Sequence, residues 1–221
     1  MASTWPIKAV LFDLDGTLLD SRRLITEAYR HACRQVLGRE LADEELVARW
    51  GEPLQTRIAH TAPDATPDQL DAVVTAYTAY YLAHHDRLAH LFPGVLEMLD
   101  ALARRGRRMA VVTSKRRATT RRGLDVFGLH RFITTAVSAD DVEHPKPAAE
   151  PVLAALRELG ADPDEAVMVG DGIFDILAAR AAAVRSVAAL WGTREPEALR
   201  AAGPDYEAGA PGDVVAIVDS G

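Results

Sequence analysis

The chain has 221 residues, 48% of them hydrophobic, with a formal net charge of −7 and a pI near 5.5. That supplies one large core, or one core plus a small accessory unit, and the acidic balance argues against a broad nucleic-acid surface. A single cysteine, Cys33, excludes an internal disulfide and a cysteine-rich metal site, and no apolar run approaches the roughly 20 residues of a membrane span. The N-terminal residues have neither the basic nor the apolar region of a secretory signal, so a cytoplasmic protein with no membrane or nucleic-acid partner is expected.

Residues 7–12 are almost wholly apolar and β-prone, as in a strand buried on both faces of a parallel sheet, and polar chemistry starts where they end, at Asp13-Leu-Asp-Gly-Thr17. In open α/β sheets ligands bind at that edge. Asp13 and Asp15 repel one another and need a cation, a shared proton or full solvation. They suit a magnesium-dependent phosphoryl-transfer site, one carboxylate attacking phosphorus and the other handling a proton. The same residue types also suit a plain turn after a strand.

From Ser21, an expected N-cap, the apolar positions Leu24, Ile25, Ala28, Tyr29, Ala32, Val36 and Leu37 recur at helical spacing until Gly38, with Cys33 among them as a small core residue. Asp43 is expected to cap a short second helix reaching Trp50, which Gly51-Glu-Pro53 breaks. Thr66-Pro-Asp-Gln69 is a capping-box pattern opening a long helix through Val73, Val74, Tyr77 and Tyr81. Residues 20–90 therefore read as an all-helical insert after the first strand of an α/β core made of residues 1–19 and 91–221.

Beyond Phe92-Pro-Gly94 helices and strands alternate. A helix from Gly94 to Arg105 precedes the strand Met109–Thr113, and a helix ending near Phe127 precedes Phe132–Val137. A helix carrying Val152, Leu153, Leu156 and Leu159 on one face precedes Ala166–Gly170, and one more strand covers Ser186–Leu190. Such alternation implies right-handed crossovers and a Rossmann-like parallel sheet.

Chemistry gathers at the ends of these strands, in Thr113-Ser-Lys115, in Gly170-Asp-Gly-Ile-Phe-Asp175, and in His144-Pro-Lys146-Pro147 between them. A hydroxyl and helix-start amides suit phosphate oxygens, a lysine suits phosphoryl charge, and Asp171 suits an octahedral magnesium ion. The spacing of Asp171 and Asp175 puts both on one side of a first helical turn. Singly each has a plainer reading, as an N-cap for Thr113 or Ser114, a loop charge for Lys146, and helix-start acids for Asp171 and Asp175. Together they require several coincidences at one sheet edge. Lysine is scarce in this arginine-rich chain, and of Lys8, Lys115 and Lys146 the last two fall at the proposed site.

Asp13-Leu-Asp-Gly-Thr-Leu, Thr113-Ser-Lys, Lys146 and Gly170-Asp-Gly-Ile-Phe-Asp175 resemble the four ordered motifs of the haloacid-dehalogenase superfamily, over nearly the whole chain. His144-Pro-Lys-Pro147 and Glu150-Pro-Val152 resemble its phosphoglycolate phosphatase and pyrophosphatase branch. The resemblance implies a phosphatase in which Asp13 forms an aspartyl-phosphate and Asp15 protonates the leaving group, then activates water. Thr113 would hydrogen-bond the phosphoryl group and Lys146 would offset its charge. Mg2+ would sit among Asp13, the backbone carbonyl of Asp15, and Asp171, with Asp175 holding the ion's waters or orienting Lys146. Asp15 argues against dehalogenation, since a leaving halide needs no proton.

The chain departs from the pattern at Gly172, where the family often has a hydroxyl residue, and at Arg180 and Ala183, where glycines are frequent; these changes are expected to alter helix packing more than chemistry. Gly16 and Ser114 are further candidates for substrate contact, and Arg49, Gly51 and Gln55 are the candidates in the insert. Arg22, Arg23 and Arg57 either greet a second anionic group or line exposed helix faces. Tyr77, Tyr81 and His84 read as packing within the insert.

The expected activity is hydrolysis of a small phosphorylated metabolite, with phosphoglycolate favoured and inorganic pyrophosphate the alternative. A sugar phosphomutase and a non-catalytic binding protein rank below them. A monomer or homodimer is expected.

Overall fold

A computed structural model describes residues 7–42, 44–45 and 51–220. Its centre is a six-stranded sheet in the order β5-β4-β1-β6-β7-β8, every neighbouring pair parallel. The strands are β1 (Ala9–Phe12), β4 (Arg108–Val112), β5 (Ile133–Val137), β6 (Ala166–Gly170), β7 (Arg185–Ala189) and β8 (Tyr206–Ala208). All four residues of β1 are fully buried, because helices cover both faces.

The side chains alternate accordingly. Val10 and Phe12 point to one face, packing with α4 (Val95–Arg104), α5 (Arg117–Val126) and α9 (Pro211–Ser220) through Met98, Leu102, Leu124 and Val214. Ala9 and Leu11 point to the other, packing with α6 (Glu150–Leu159) and α7 (Ile173–Ala181) through Val152, Leu156 and Ala178. Burying a side chain such as Phe12 or Leu11 contributes about 1.5–3 kcal/mol. The short helix α8 (Pro196–Ala201) seats Leu199 on a small cluster beside Ala188 and Ile176.

The chain leaves the sheet just after β1. A tight turn, with Leu18 and Leu19 N–H groups both donating to the Leu14 carbonyl, leads into β2 (Leu19–Asp20). β2 pairs antiparallel with β3 (His90–Leu91), Leu19 opposite Leu91. Between these two strands lie α1 (Arg22–Leu37), α2 (Leu54–Thr61) and α3 (Pro67–Leu88). Their buried side chains, among them Tyr29, Cys33, Ile58, Tyr77 and Tyr81, form a separate hydrophobic cluster. The expected capping box opens α3, where Thr66 Oγ1 accepts from the Gln69 N–H at 3.3 Å and Gln69 Oε1 accepts from the Thr66 N–H at 2.9 Å. Gly38 ends α1 with φ of 62°, the left-handed value that glycine adopts without strain. Asp43 and Trp50 lie outside the described residues. No helix among the described residues is long and apolar enough to cross a membrane.

Two expectations need correction. Leu153 is 38% exposed, since Val152, Leu156 and Leu159 take the buried side of α6 and Leu153 lies about 100° further round. Ser21 occupies the N-cap position of α1 but makes no side-chain cap, because its hydroxyl donates to Asp15 Oδ1 instead. The edge strand β8, the ribbon β2–β3 and the last two helices carry too few residues or too weak a period to stand out in the sequence.

Candidate active site

β1 lies between β4 and β6, so successive connections leave it in opposite directions and open a crevice at its C-terminal end. Asp13 stands there, fixed by its N–H donating to the Val169 carbonyl at 2.9 Å. Thr113 follows β4 and is tied to β5 through its N–H and the Val137 carbonyl at 2.9 Å. Asp171 follows β6, Asp175 lies in the first turn of α7, and Lys146 comes from the loop before α6. Asp13, Thr113, Lys146, Asp171 and Asp175 are all buried.

Lys146 is the hub. Its ammonium donates to Asp13 Oδ1 at 2.8 Å, Asp175 Oδ1 at 2.5 Å and the Val112 carbonyl at 3.0 Å, which uses all three donors. Asp175 Oδ2 accepts from the Gly172 N–H at 2.9 Å, so this acid both starts α7 and orients the lysine. It folds back over Gly170, where a Cβ would lie 2.3 Å from the Asp175 side chain. Asp171 accepts from Thr17 Oγ1 at 3.2 Å and packs on Gly16, whose φ of 82° and missing Cβ allow a contact that alanine would bring to 2.1 Å. The Gly16–Thr17 turn is braced by the loop after β7: Trp191 Nε1 donates to the Thr17 carbonyl at 3.0 Å, and Gly192 sits so close to the Gly16 carbonyl that a Cβ would overlap it at 1.6 Å.

One carboxylate oxygen from each of Asp13, Asp171 and Asp175 lies within 4.8 Å of the others. Three carboxylates against one ammonium leave a buried excess of negative charge. Burial, with Asp175 and Asp15 nearby, pushes the Asp13 carboxyl up to about 6 even though Lys146 opposes the shift. Burial and the charges of Asp13 and Asp175 hold Asp171 well above the ordinary carboxylate range. Burial acts to lower Lys146, but Asp13 and Asp175 outweigh it and its affinity for the proton rises. An all-oxygen, doubly negative set of this kind fits a hard divalent cation such as Mg2+.

Asp15 points away from this cluster. Its Oδ2 accepts from Lys115 Nζ at 2.6 Å and its Oδ1 from the Ser21 hydroxyl. The carboxylate is therefore outside the acidic triad, and only the Asp15 backbone is left for a role toward a cation. Lys115 also donates to the Tyr81 hydroxyl at 2.7 Å, which links the core to α3 of the insert.

The crevice is roofed by the insert. Its lining includes Asp13, Asp15, Thr113, Ser114, Lys115, Lys146, Asp171 and Asp175 from the core, and Gly51, Glu52, Leu54, Arg57, Tyr77 and Thr78 from the insert. Gly51 packs on Phe174 of the core. Ser114 Oγ is buried without a hydrogen-bond partner among the described residues. Gln55 is exposed and does not line the crevice, since the lining face of α2 carries Leu54 and Arg57. Arg49 lies outside the described residues. Arg57, for which an exposed helix face was the leading expectation, is 5% exposed, with its guanidinium 4.5 Å from the Tyr29 ring centre. Arg22 donates to the Gly192 carbonyl at 3.0 Å, and Arg23 pairs with Glu27 at 2.7 Å on the surface. Tyr77 both packs in the insert and lines the crevice, whereas His84 stacks on Tyr80 at 3.9 Å. Sequence reasoning missed Ser21, Tyr81 and the bracing pair Trp191 and Gly192. The signal for Tyr81 was its helical phase with Tyr77, which faces the crevice.

Comparison with known proteins agrees with this geometry. Residues 10–189 match the family model described as haloacid dehalogenase-like hydrolase. A protein of Bacillus velezensis named pyrophosphatase PpaX is 36% identical over 200 residues, covering 90% of this chain and 91% of its own. A Bacillus pumilus protein of the same name is 37% identical over 212 residues, covering 96% of each. The crystal structure of a predicted phosphoglycolate phosphatase from Haemophilus somnus superposes with a TM-score of 0.85 at 26% identity, covering 96% of this chain and 97% of that one. With its acids, lysine and hydroxyl converging at the switch point of a parallel sheet, and with these likenesses along nearly its full length, the chain belongs to the haloacid dehalogenase-like hydrolases.

Proposed function

We propose that this phosphatase hydrolyses a small phosphorylated substrate by way of phosphorylated Asp13. The observation that carries the proposal is the environment of that one residue. Lys146 holds Oδ1, no described residue holds Oδ2, and Oδ2 is therefore the atom presented to phosphorus. As Oδ2 bonds to phosphorus, the bond to the leaving oxygen breaks, and that oxygen takes the electron pair and a proton from Asp15. Asp15 then takes a proton from water, whose oxygen attacks phosphorus and frees Asp13. Thr113 and Ser114 offer hydroxyls to the phosphoryl oxygens, and Lys146 balances charge on the Asp13 side.

Asp13, Asp171, the Asp15 backbone carbonyl and Asp175 would hold Mg2+, which when bound screens the substrate's charge from the acidic floor. The insert, residues 20–90, is read as the cap that selects the substrate and excludes water.

Arg57 lines the same crevice as the acidic floor, which favours a substrate with a second anionic end. Pyrophosphate and phosphoglycolate both have one. The name borne by the two Bacillus relatives favours pyrophosphate, and the Haemophilus somnus likeness favours phosphoglycolate.

Magnesium-dependent phosphate release should be measured from pyrophosphate, phosphoglycolate, sugar phosphates and nucleotides. Asp13→Asn is expected to abolish release in a variant that still folds, as its circular dichroism spectrum would show. Undiminished activity in that variant would sink the mechanism, and isomerisation of a sugar phosphate without net release would favour a mutase.

A further inference from the structure

We propose that Lys115 is a positioning residue for the proton-transferring carboxylate of Asp15, and that Tyr81 of the helical insert completes its hold. The inference rests on Asp15 being the proton carrier.

The contact is specific in its atoms. Lys115 Nζ donates to Asp15 Oδ2 at 2.6 Å and to Tyr81 Oη at 2.7 Å, while the Ser21 hydroxyl takes Asp15 Oδ1. Three separate segments thus converge on one carboxylate: the loop after β4, the start of α1 and, through the phenol, the middle of α3. Tyr81 is fully buried, and the Lys115 and Asp15 side chains are only 10% and 12% exposed, so water competes weakly for these donors. Such a pair adds little net stability, because desolvating two charges offsets their attraction. What it adds is direction.

The residue type supports this. Each carboxylate oxygen has two lone-pair positions, and a point donor on one of them leaves the other facing the crevice. An arginine fork would span both oxygens and displace Ser21. In a chain this rich in arginine, a lysine at position 115 allows the two oxygens to be held by different partners. When the phosphorus–oxygen bond to the leaving group breaks, the electron pair goes to the leaving oxygen and the proton comes from Asp15. Lys115 transfers no proton and only sets the angle at which Asp15 meets that oxygen. Misplacement by about 1 Å can cost on the order of 100-fold in rate.

The test compares phenyl phosphate with p-nitrophenyl phosphate, esters of similar shape. Phenolate is a poor leaving group that needs a proton, whereas nitrophenolate departs without one. Asp15→Ala is the benchmark and should lose far more kcat on phenyl phosphate than on the nitro ester. Lys115→Met should reproduce that selectivity, with kcat on phenyl phosphate lower by on the order of 100-fold, at most about a tenth of that loss on the nitro ester, and KM little changed. Tyr81→Phe keeps the ring and its packing and should show the same preference more weakly; it decides the matter if Lys115→Met fails to fold. Lys115→Arg, which restores charge but not the point donor, should not recover the phenyl phosphate rate. Equal losses on both esters, a loss confined to KM, or full rescue by arginine would overturn the proposal. An Asp15→Ala variant without leaving-group selectivity would instead overturn the reading of Asp15 on which it rests.

Discussion

Withdrawing magnesium should destabilise the protein with a pH dependence of definite sign. Three buried carboxylates meet a single ammonium, so ionising all of them costs free energy in the fold that it does not cost in the unfolded chain. Burial moves the Asp13 carboxyl from 3.8 up to about 6, a change worth about 3 kcal/mol. Its folded value lies above its unfolded one, so the folded state binds the extra proton and stability falls as pH rises from about 4 to about 6. Asp171 shifts in the same direction and carries the loss to higher pH. Lys146 is raised, so its contribution persists throughout this range and disappears only in strong alkali. A cation at about 100 times its dissociation constant returns about 2.7 kcal/mol, which for a chain of this size is about 5–10 °C in Tm. Thermal melts in magnesium and in chelator should differ by that amount near pH 7.5. The difference should shrink to about 2 °C or less near pH 5, where protonation removes the charge the ion would meet. An equal gain at both pH values, or none near pH 7.5, would refute the reasoning.

Two further outcomes concern residues away from the acidic floor. Ala183, just after α7, is exposed and has φ of 56°, a left-handed conformation costing a side-chain-bearing residue about 1–2 kcal/mol. Ala183→Gly should therefore raise Tm by about 2–4 °C after glycine's larger unfolded-state entropy is offset; an unchanged or lower Tm counts against this. In the insert, Arg57→Met should raise KM at least about tenfold for doubly anionic substrates, the loss of one charge-assisted contact, while Gln55→Ala leaves KM unchanged. The reverse pattern would show that α2 presents its other face to substrate.

The sheet and the acidic floor were legible because their signals are local. A buried parallel strand is an unbroken apolar run, and residues 7–12, 109–113 and 166–170 each end in polar chemistry at the same edge. Asp171 and Asp175 were found together because helical spacing fixes their relation regardless of tertiary context. The contacts among Asp15, Ser21, Lys115 and Tyr81 were not legible, since they join positions as much as 100 residues apart through the way the insert sits on the sheet. Ser21 was misread for the same reason, because a hydroxyl at an N-cap position has a local use that a distant carboxylate overrode. Gly170 reads as the end of a strand and Gly192 as part of a loop, and only the approach of Asp175 and of the Gly16 carbonyl shows why a side chain is excluded there. Gln55 and Arg57 differ by two residues on one short helix, and which of them faced inward depended on the rotation of α2, a quantity that eight residues specify weakly.

The pairing of Leu19 with Leu91 and Asp20 with His90 brings the two ends of the insert to neighbouring positions. Whatever chain runs between them adds almost nothing to the span the sheet must close, because that closure is already made by the two-stranded ribbon. The sheet with its acidic floor and the helical insert above it are thus separable as units of heredity and of engineering. A helical insert of different length and lining could be spliced between Asp20 and His90 without moving a strand of the sheet. One reaction chemistry can in this way be offered to different substrates.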